Sequence, residues 1–138
     1  MDKQKLIDLM NEDLGTEYRS IVQYVQHAAT ITGPEYQTII EELRTHLSQE
    51  LEHAQTLADQ IDFLGGTPST EVPNVPSETD PKRALRLDLD LERDQLERYR
   101  QRVGDAEGLG LGDVAGALRP LLEQTQDHVK ELETALGE

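Results

Sequence analysis

Glu50 and His53 stand three residues apart in "LSQELEHAQTL", inside a run whose other recurring positions are apolar. His128 follows Thr125 at the same interval, and Glu17 and Glu92 interrupt two further apolar runs near their middles. On a helix, side chains at i and i+3 point the same way, so a Glu-x-x-His pair can chelate one ion from one face. Carboxylate and imidazole donors without thiolate suit iron, manganese or zinc. The chain has no cysteine, which excludes disulfides, thiolate-ligated zinc and iron–sulfur clusters.

A single carboxylate on an apolar stripe is ordinarily paired with a Lys or Arg, and a lone core histidine is ordinarily hydrogen-bonded. The set behaves differently, because none of the four stripes contains a Lys or Arg. Three carboxylates at one level repel one another and each loses hydration worth several kcal/mol. Protons relieve that cost, and so does a pair of divalent metal ions held by the acids and imidazoles together.

The levels agree. Glu17 lies 16 residues before Gly33 and Glu50 lies 17 after it, so the two meet across a hairpin. A shift of 75 carries Glu17 onto Glu92, Tyr24 onto Tyr99, Gly33 onto Gly108 and His53 onto His128. Two hairpins are therefore copies of one unit, related by a pseudo-twofold axis. The shift carries Glu50 onto Thr125, so one copy reads Glu-x-x-His and the other Thr-x-x-His.

The elements that must position these residues follow from punctuation and periodicity. Gly33–Pro34, the proline-rich "GGTPSTEVPNVPSETDP" and "GLGLG" break the chain, leaving helices at roughly 3–32, 35–64, 81–107 and 113–136. The stripes run Ile7, Met10, Leu14, Glu17, Ile21, Tyr24 in the first helix and Tyr36, Ile40, Leu43, Leu47, Glu50, Ala54, Leu57 in the second. Leu85, Leu89, Glu92, Leu96, Tyr99 follow in the third, and Val114, Leu118, Leu121, Thr125, His128, Leu132 in the fourth. The class is all-α, a four-helix bundle. Residues 66–80, at about 3.1–3.3 Å each, span roughly 45 Å. That is about the length of one such helix, so this segment returns the chain along the bundle and makes the second and third helices parallel.

The totals narrow the partners. Thirteen Lys and Arg against 28 Asp and Glu give a net charge of -15, which disfavours nucleic acid and anionic membranes. A surface this acidic suits solubility at high salt. No stretch is long and apolar enough to span a membrane or act as a signal peptide, so a cytoplasmic location is expected.

These motifs resemble the bacterioferritins, within the ferritin-like di-iron carboxylate superfamily, over nearly the whole chain. "LGTEYRSIVQYVQHA", "ELEHA", "DLDLERD" and "TQDHVKELETAL" match that family's four helix motifs in order. The resemblance implies one ferritin-like domain over residues 1–138. It makes Glu17 and His53 terminal ligands and Glu50 a bridge, and gives Glu92 and His128 to a second iron, with Tyr24 beside the metals as an electron source. It further implies a ferroxidase centre, where two Fe(II) become Fe(III) at the expense of dioxygen or peroxide, and a homodimer or larger homo-oligomer.

Three departures qualify this. Thr125 stands where the family has a second bridging glutamate, with Gln124, Asp127 and Glu131 near but out of position, and Pro120 placed to bend the helix. Leu51 stands where haem-binding members carry methionine, so no haem is expected. The short fifth helix that lines the family's cage is missing by Glu138. A non-catalytic bundle pinned by one zinc, manganese or iron is thus the alternative to a ferroxidase, and a di-metal oxidase of an organic substrate a second. His27 and His46 are expected at the surface or between helices, and Asp88, Asp90, Asp94 and Glu97 on a solvated face.

Overall fold

A computed structural model describes residues 1–138. It contains α1 (Lys3–Thr30), a 3-10 turn (Pro34–Tyr36), α2 (Gln37–Phe63), α3 (Pro81–Gly108) and α4 (Gly112–Ala135), without strands. The expected all-α four-helix bundle is the observed fold. The first two helices are trimmed where they meet. Gly33 lies at φ 122 ahead of Pro34, and Ile31 is already extended. A residue before proline is kept out of the helical region, so the second hairpin arm starts as a tight turn and becomes α-helical at Gln37.

Local signals set the other ends. The Asp2 and Asp80 carboxylates accept from the amides of Lys5 (2.8 Å) and Arg83 (3.1 Å), and Pro81 opens α3 without an amide to leave unpaired. At the end of α2, Gly65 takes φ 92, and the Gly66 amide donates back to the Ile61 carbonyl at 2.9 Å. A side chain on Gly66 would meet Ile7 at 2.5 Å, so α1 packs on bare backbone there.

Every neighbouring pair of helices runs antiparallel. Between α1 and α3 the partners are Asp13 with Arg102, Glu17 with Tyr99, Tyr24 with Glu92 and His27 with Asp88. Between α2 and α4 they are His46 with Glu131, Gln49 with His128 and His53 with Gln124. The strap runs along α1 in α1's own direction: Asn11 brackets it through Thr67 and Ser69, Tyr18 donates to Ser69, and Gln26 holds Ser77 and Glu78. α2 and α3 are therefore parallel. α4 continues through Pro120, which lies on its exposed side.

The apolar core is divided. One cluster joins Leu6, Met10, Leu14, Leu57, Ile61, Tyr99 and Leu118. The other joins Tyr24, Leu43, Leu85, Leu89 and Leu132. Between them lies the layer of Glu17, Glu50, His53, Glu92, Thr125 and His128, all buried.

Two buried polar pairs brace the α1–α3 seam. Arg102 donates to both Asp13 oxygens at 2.6 and 3.0 Å, and His27 lies 2.8 Å from Asp88, which also accepts from Gln23 at 3.1 Å. The shift of 75 maps Asp13 onto Asp88 and His27 onto Arg102, so the pairs are counterparts. His27 lies between helices, one of the two places expected for it, whereas Asp88, 1% exposed, is not on the solvated face expected of it. A helix packed on two neighbours buries residues flanking its stripe as well as the stripe itself.

Arg102→Met leaves Asp13 buried with only Arg98, 3.6 Å away, as a cation and is expected to cost at most about 3–5 kcal/mol in chemical denaturation. The double variant Asp13→Leu/Arg102→Met recovers most of that loss. A near-neutral single variant would show that the pair braces nothing.

Candidate metal centre

The central layer takes one or more groups from every helix. α1 supplies Glu17, α2 supplies Glu50 and His53, α3 supplies Glu92 and α4 supplies His128. Each is at most 1% exposed. Their donor atoms form two groups, each with atoms within 4.8 Å of one another: Glu17, Glu50 and His53 in one, and His46, Glu92 and His128 in the other. Glu50 faces both, with Oε2 3.4 Å from His53 Nδ1 and Oε1 3.0 Å from His128 Nδ1.

His46 lies between helices, one of the two places expected for it, and belongs to this layer as well, a role the stripes did not assign it; it is 1% exposed. Its ring stacks on that of His128, with centroids 3.9 Å apart and planes 24° apart. The buried line on α2 runs Ile39, Leu43, His46, Glu50, His53, Leu57, while Ile40 and Leu47 are only partly buried. The apolar Leu47 beside His46 drew the stripe one residue out of phase. The signal that identifies His46 is its i+4 spacing to Glu50, shared with Glu50 and Ala54.

The three imidazoles are oriented alike. His53 Nε2 meets Gln124 Oε1 at 2.7 Å, His128 Nε2 meets Gln49 Oε1 at 2.5 Å, and His46 Nε2 meets a Glu131 oxygen at 2.5 Å. Each partner is an acceptor, so each Nε2 carries hydrogen and Nδ1 is turned inward. Gln49 and Gln124 are also related by the shift of 75. Each hairpin thus orients the other's histidine. The tyrosines cross in the same way: Tyr24 donates to Glu92 Oε1 at 2.6 Å and Tyr99 donates to Glu17 Oε1. Thr125 offers nothing inward, because its hydroxyl donates to the Leu121 carbonyl at 2.7 Å.

The electrostatics follow from this crowding. Burial, then the charge of Glu50, raises the Glu17 carboxyl well above its usual range. Burial and the nearby carboxylates also hold Tyr24 and Tyr99 well above the ordinary phenol value, so both remain donors. Burial opposes charge on His53 and His128, yet Glu17 and Glu50 lift the first to about 11, and Glu50 and Glu92 lift the second to about 10. His46 goes the other way. Burial and the neighbouring His128 lower it to about 4, against the pull of Glu131, and it is neutral at neutral pH.

The donors fit metal ions. One oxygen each of Glu17, Glu50 and Glu92, and Nδ1 of His46 and His53, are buried without a hydrogen-bond partner. An unsatisfied buried polar atom costs about 1–3 kcal/mol, and several across one layer call for cations. The set of three carboxylates and three imidazoles, with outer groups fixing each imidazole, suits iron, manganese or zinc. Clefts of about 650 and 600 Å³ lie elsewhere, one walled by Asp8, Glu12, Ser69 and Asp94 and the other by Tyr36, Lys82, Leu85 and Leu136. No helix is long and apolar enough to cross a membrane.

Known proteins share this layout. The family model described as ferritin-like domain matches residues 7–138. A bacterial ferritin of Paramagnetospirillum magnetotacticum is 31% identical over 140 aligned residues, covering 98% of this chain and 84% of that protein. The crystal structure of a ferritin-like, diiron-carboxylate protein from Bacillus anthracis str. Ames superposes with a TM-score of 0.92 at 31% identity, covering 99% of each chain. A bundle of two antiparallel hairpins, a carboxylate and imidazole layer across its middle and a family match along nearly its whole length agree, and the chain belongs to the ferritin-like family.

Proposed function

We propose that this chain is a bacterioferritin-like iron protein that oxidises Fe(II) at paired positions in the bundle, in iron handling or detoxification. One observation carries the reading: two groups of buried acid and imidazole donors face each other through Glu50, with five inward atoms unpartnered. Manganese or zinc suits the same donors.

Glu17, Glu50 and His53 hold the first ion, and Glu92 and His128 belong to the second, with Glu50 as the bridge. Two Fe(II) give up one electron each. Dioxygen takes both with two protons to become hydrogen peroxide, or peroxide takes both with two protons to become water. Gln124 and Gln49 keep the imidazole Nε2 atoms engaged, so the Nδ1 lone pairs stay available. Tyr24 can supply one further electron to the same oxidant, its proton passing to Glu92 along their 2.6 Å hydrogen bond. The bridging role expected of α4 is unfilled at Thr125, and this favours a single-metal structural pin as the second reading. The protein acts in the cytoplasm as a homodimer or larger homo-oligomer on this reading.

Anaerobic Fe(II) titration of the metal-stripped chain, followed by air, separates the readings. Two irons per chain with oxidation faster than in buffer supports the ferroxidase. One iron, or two without turnover, makes the centre a structural or storage site. No binding overturns the metal reading.

Metal uptake also competes with protons. The imidazoles of His53 and His128 are raised from 6.5 to about 11 and about 10, so at pH 7.5 both carry a proton that a metal must displace. Anaerobic loading in a pH-stat at pH 7.5 is expected to release protons, and affinity to rise with pH. Uptake without proton release would contradict this account of the layer.

A further inference from the structure

The pseudo-twofold axis leaves the second position short of a donor. On the first side Glu17, Glu50 and His53 converge; their counterparts are Glu92, Thr125 and His128. Thr125 is 0% exposed, but its hydroxyl is spent on the Leu121 carbonyl. No carboxylate of α4 replaces it directly. The α4 acid at hand, Glu131, has a half-exposed side chain and points to His46.

His46 supplies what Thr125 does not. It sits one turn before Glu50 on the buried line of α2, and its Nδ1 is buried and has no partner. His46 belongs to the group formed with Glu92 and His128, and its ring lies against the ring of His128. The Glu131 carboxylate takes the Nε2 hydrogen at 2.5 Å, which leaves the lone pair on Nδ1. A carboxylate behind a histidine is the usual outer partner of a metal-bound imidazole, fixing the tautomer and raising its basicity. The shift of 75 puts Leu121 at the equivalent place in the other hairpin. His46 is thus found only on the side where the glutamate has been lost.

We propose that His46, held by Glu131, completes the second metal position in place of the missing α4 carboxylate, so that, with Glu50 shared, this position has two imidazoles and one carboxylate of its own where the first has one imidazole and one carboxylate of its own. Glu131 is a positioning residue. The inference rests on the di-metal reading above and extends it. Its consequence is two unlike positions: the first, with one nitrogen donor, favours harder ions, and the second, with two, favours borderline ions such as Fe(II), Co(II) and Zn(II).

The test uses Co(II) as probe on the full metal-stripped chain, without air, read by equilibrium dialysis and by proton NMR of the paramagnetic complex. Each Nδ1-bound imidazole whose Nε2 hydrogen is held by Gln124, Gln49 or Glu131 gives one strongly shifted exchangeable resonance. The wild type is expected to bind two Co(II) and show three such resonances. His46→Leu, the residue of the counterpart hairpin, is expected to bind one and keep only the His53 resonance, those of His46 and His128 being lost with the second ion. Glu131→Gln changes a half-exposed side chain and is expected to weaken the second Co(II) by about 10–100-fold with the first unchanged. Two Co(II) bound as tightly by both variants as by the wild type would overturn the assignment of His46 while leaving the di-metal reading intact. A wild type that binds one Co(II) or none would overturn both.

Discussion

The structure depends on one expensive arrangement: three carboxylates, of Glu17, Glu50 and Glu92, buried at one level with no Lys or Arg among them. Burial costs each charge several kcal/mol, and their proximity adds repulsion. Something cationic must stand between them, and the layer offers only imidazoles and inward lone pairs. The rest of the fold confines that cost. The polar layer is one turn or so thick and closed above and below by aliphatic clusters, with Leu14, Leu57 and Leu118 on one side and Leu43, Leu89 and Leu132 on the other. Water cannot relieve the charges there, so cations or protons must.

The layer is also where the two hairpins are tied together. Tyr24 reaches from the first hairpin to Glu92 of the second, and Tyr99 returns the contact to Glu17. Gln124 orients His53 and Gln49 orients His128. Away from the layer, Arg102 with Asp13 and Asp88 with His27 cross the same seam. None of these contacts lies within one hairpin. A hairpin alone would present its acids and imidazoles without the groups that aim them, so site and fold form in one event. The strap makes the required pairing accessible by delivering α3 antiparallel to α1, and its hold on Asn11, Tyr18 and Gln26 fixes its course.

Much of this was legible in the sequence because the repeat and the stripes are independent signals that agree. Polar interruptions gave Glu17, Glu50, Glu92 and His128 a common level, and the shift of 75 supplied the symmetry. His46 was not legible by the same route. A stripe drawn through the most apolar residue of each turn chooses Leu47, and a histidine next to a leucine then falls outside it. Gln49 and Gln124 escaped for a related reason: they flank the stripe and act across the bundle, and intrahelical periodicity carries no information about that. Asp88 sits among Asp90, Asp94 and Glu97, and only the α1–α3 seam, absent from a single helix's pattern, separates the buried acid from the solvated ones. Helix ends near Gly33–Pro34 shifted because a 3-10 turn fits the same residues as a helical start.

The two halves have diverged unevenly, and the pattern has a physical sense. At the seam, His27 and Arg102 differ while each still faces an aspartate, so the hydrogen-bonded pairing survives the change. In the central layer, two differences coincide: Glu50 against Thr125, and His46 against Leu121. A centre with full symmetry on the Glu-x-x-His pattern would bury four carboxylates and two imidazoles. This one buries three of each, so the count of donors is kept while the buried negative charge falls by one. Cost falls with it, since a neutral imidazole is far less penalised by burial than a carboxylate. Glu131 remains on α4 but at the half-exposed edge, where water shares its charge, and it touches the layer only through the His46 ring. The fourth helix has in effect moved its acid outward by the width of one imidazole.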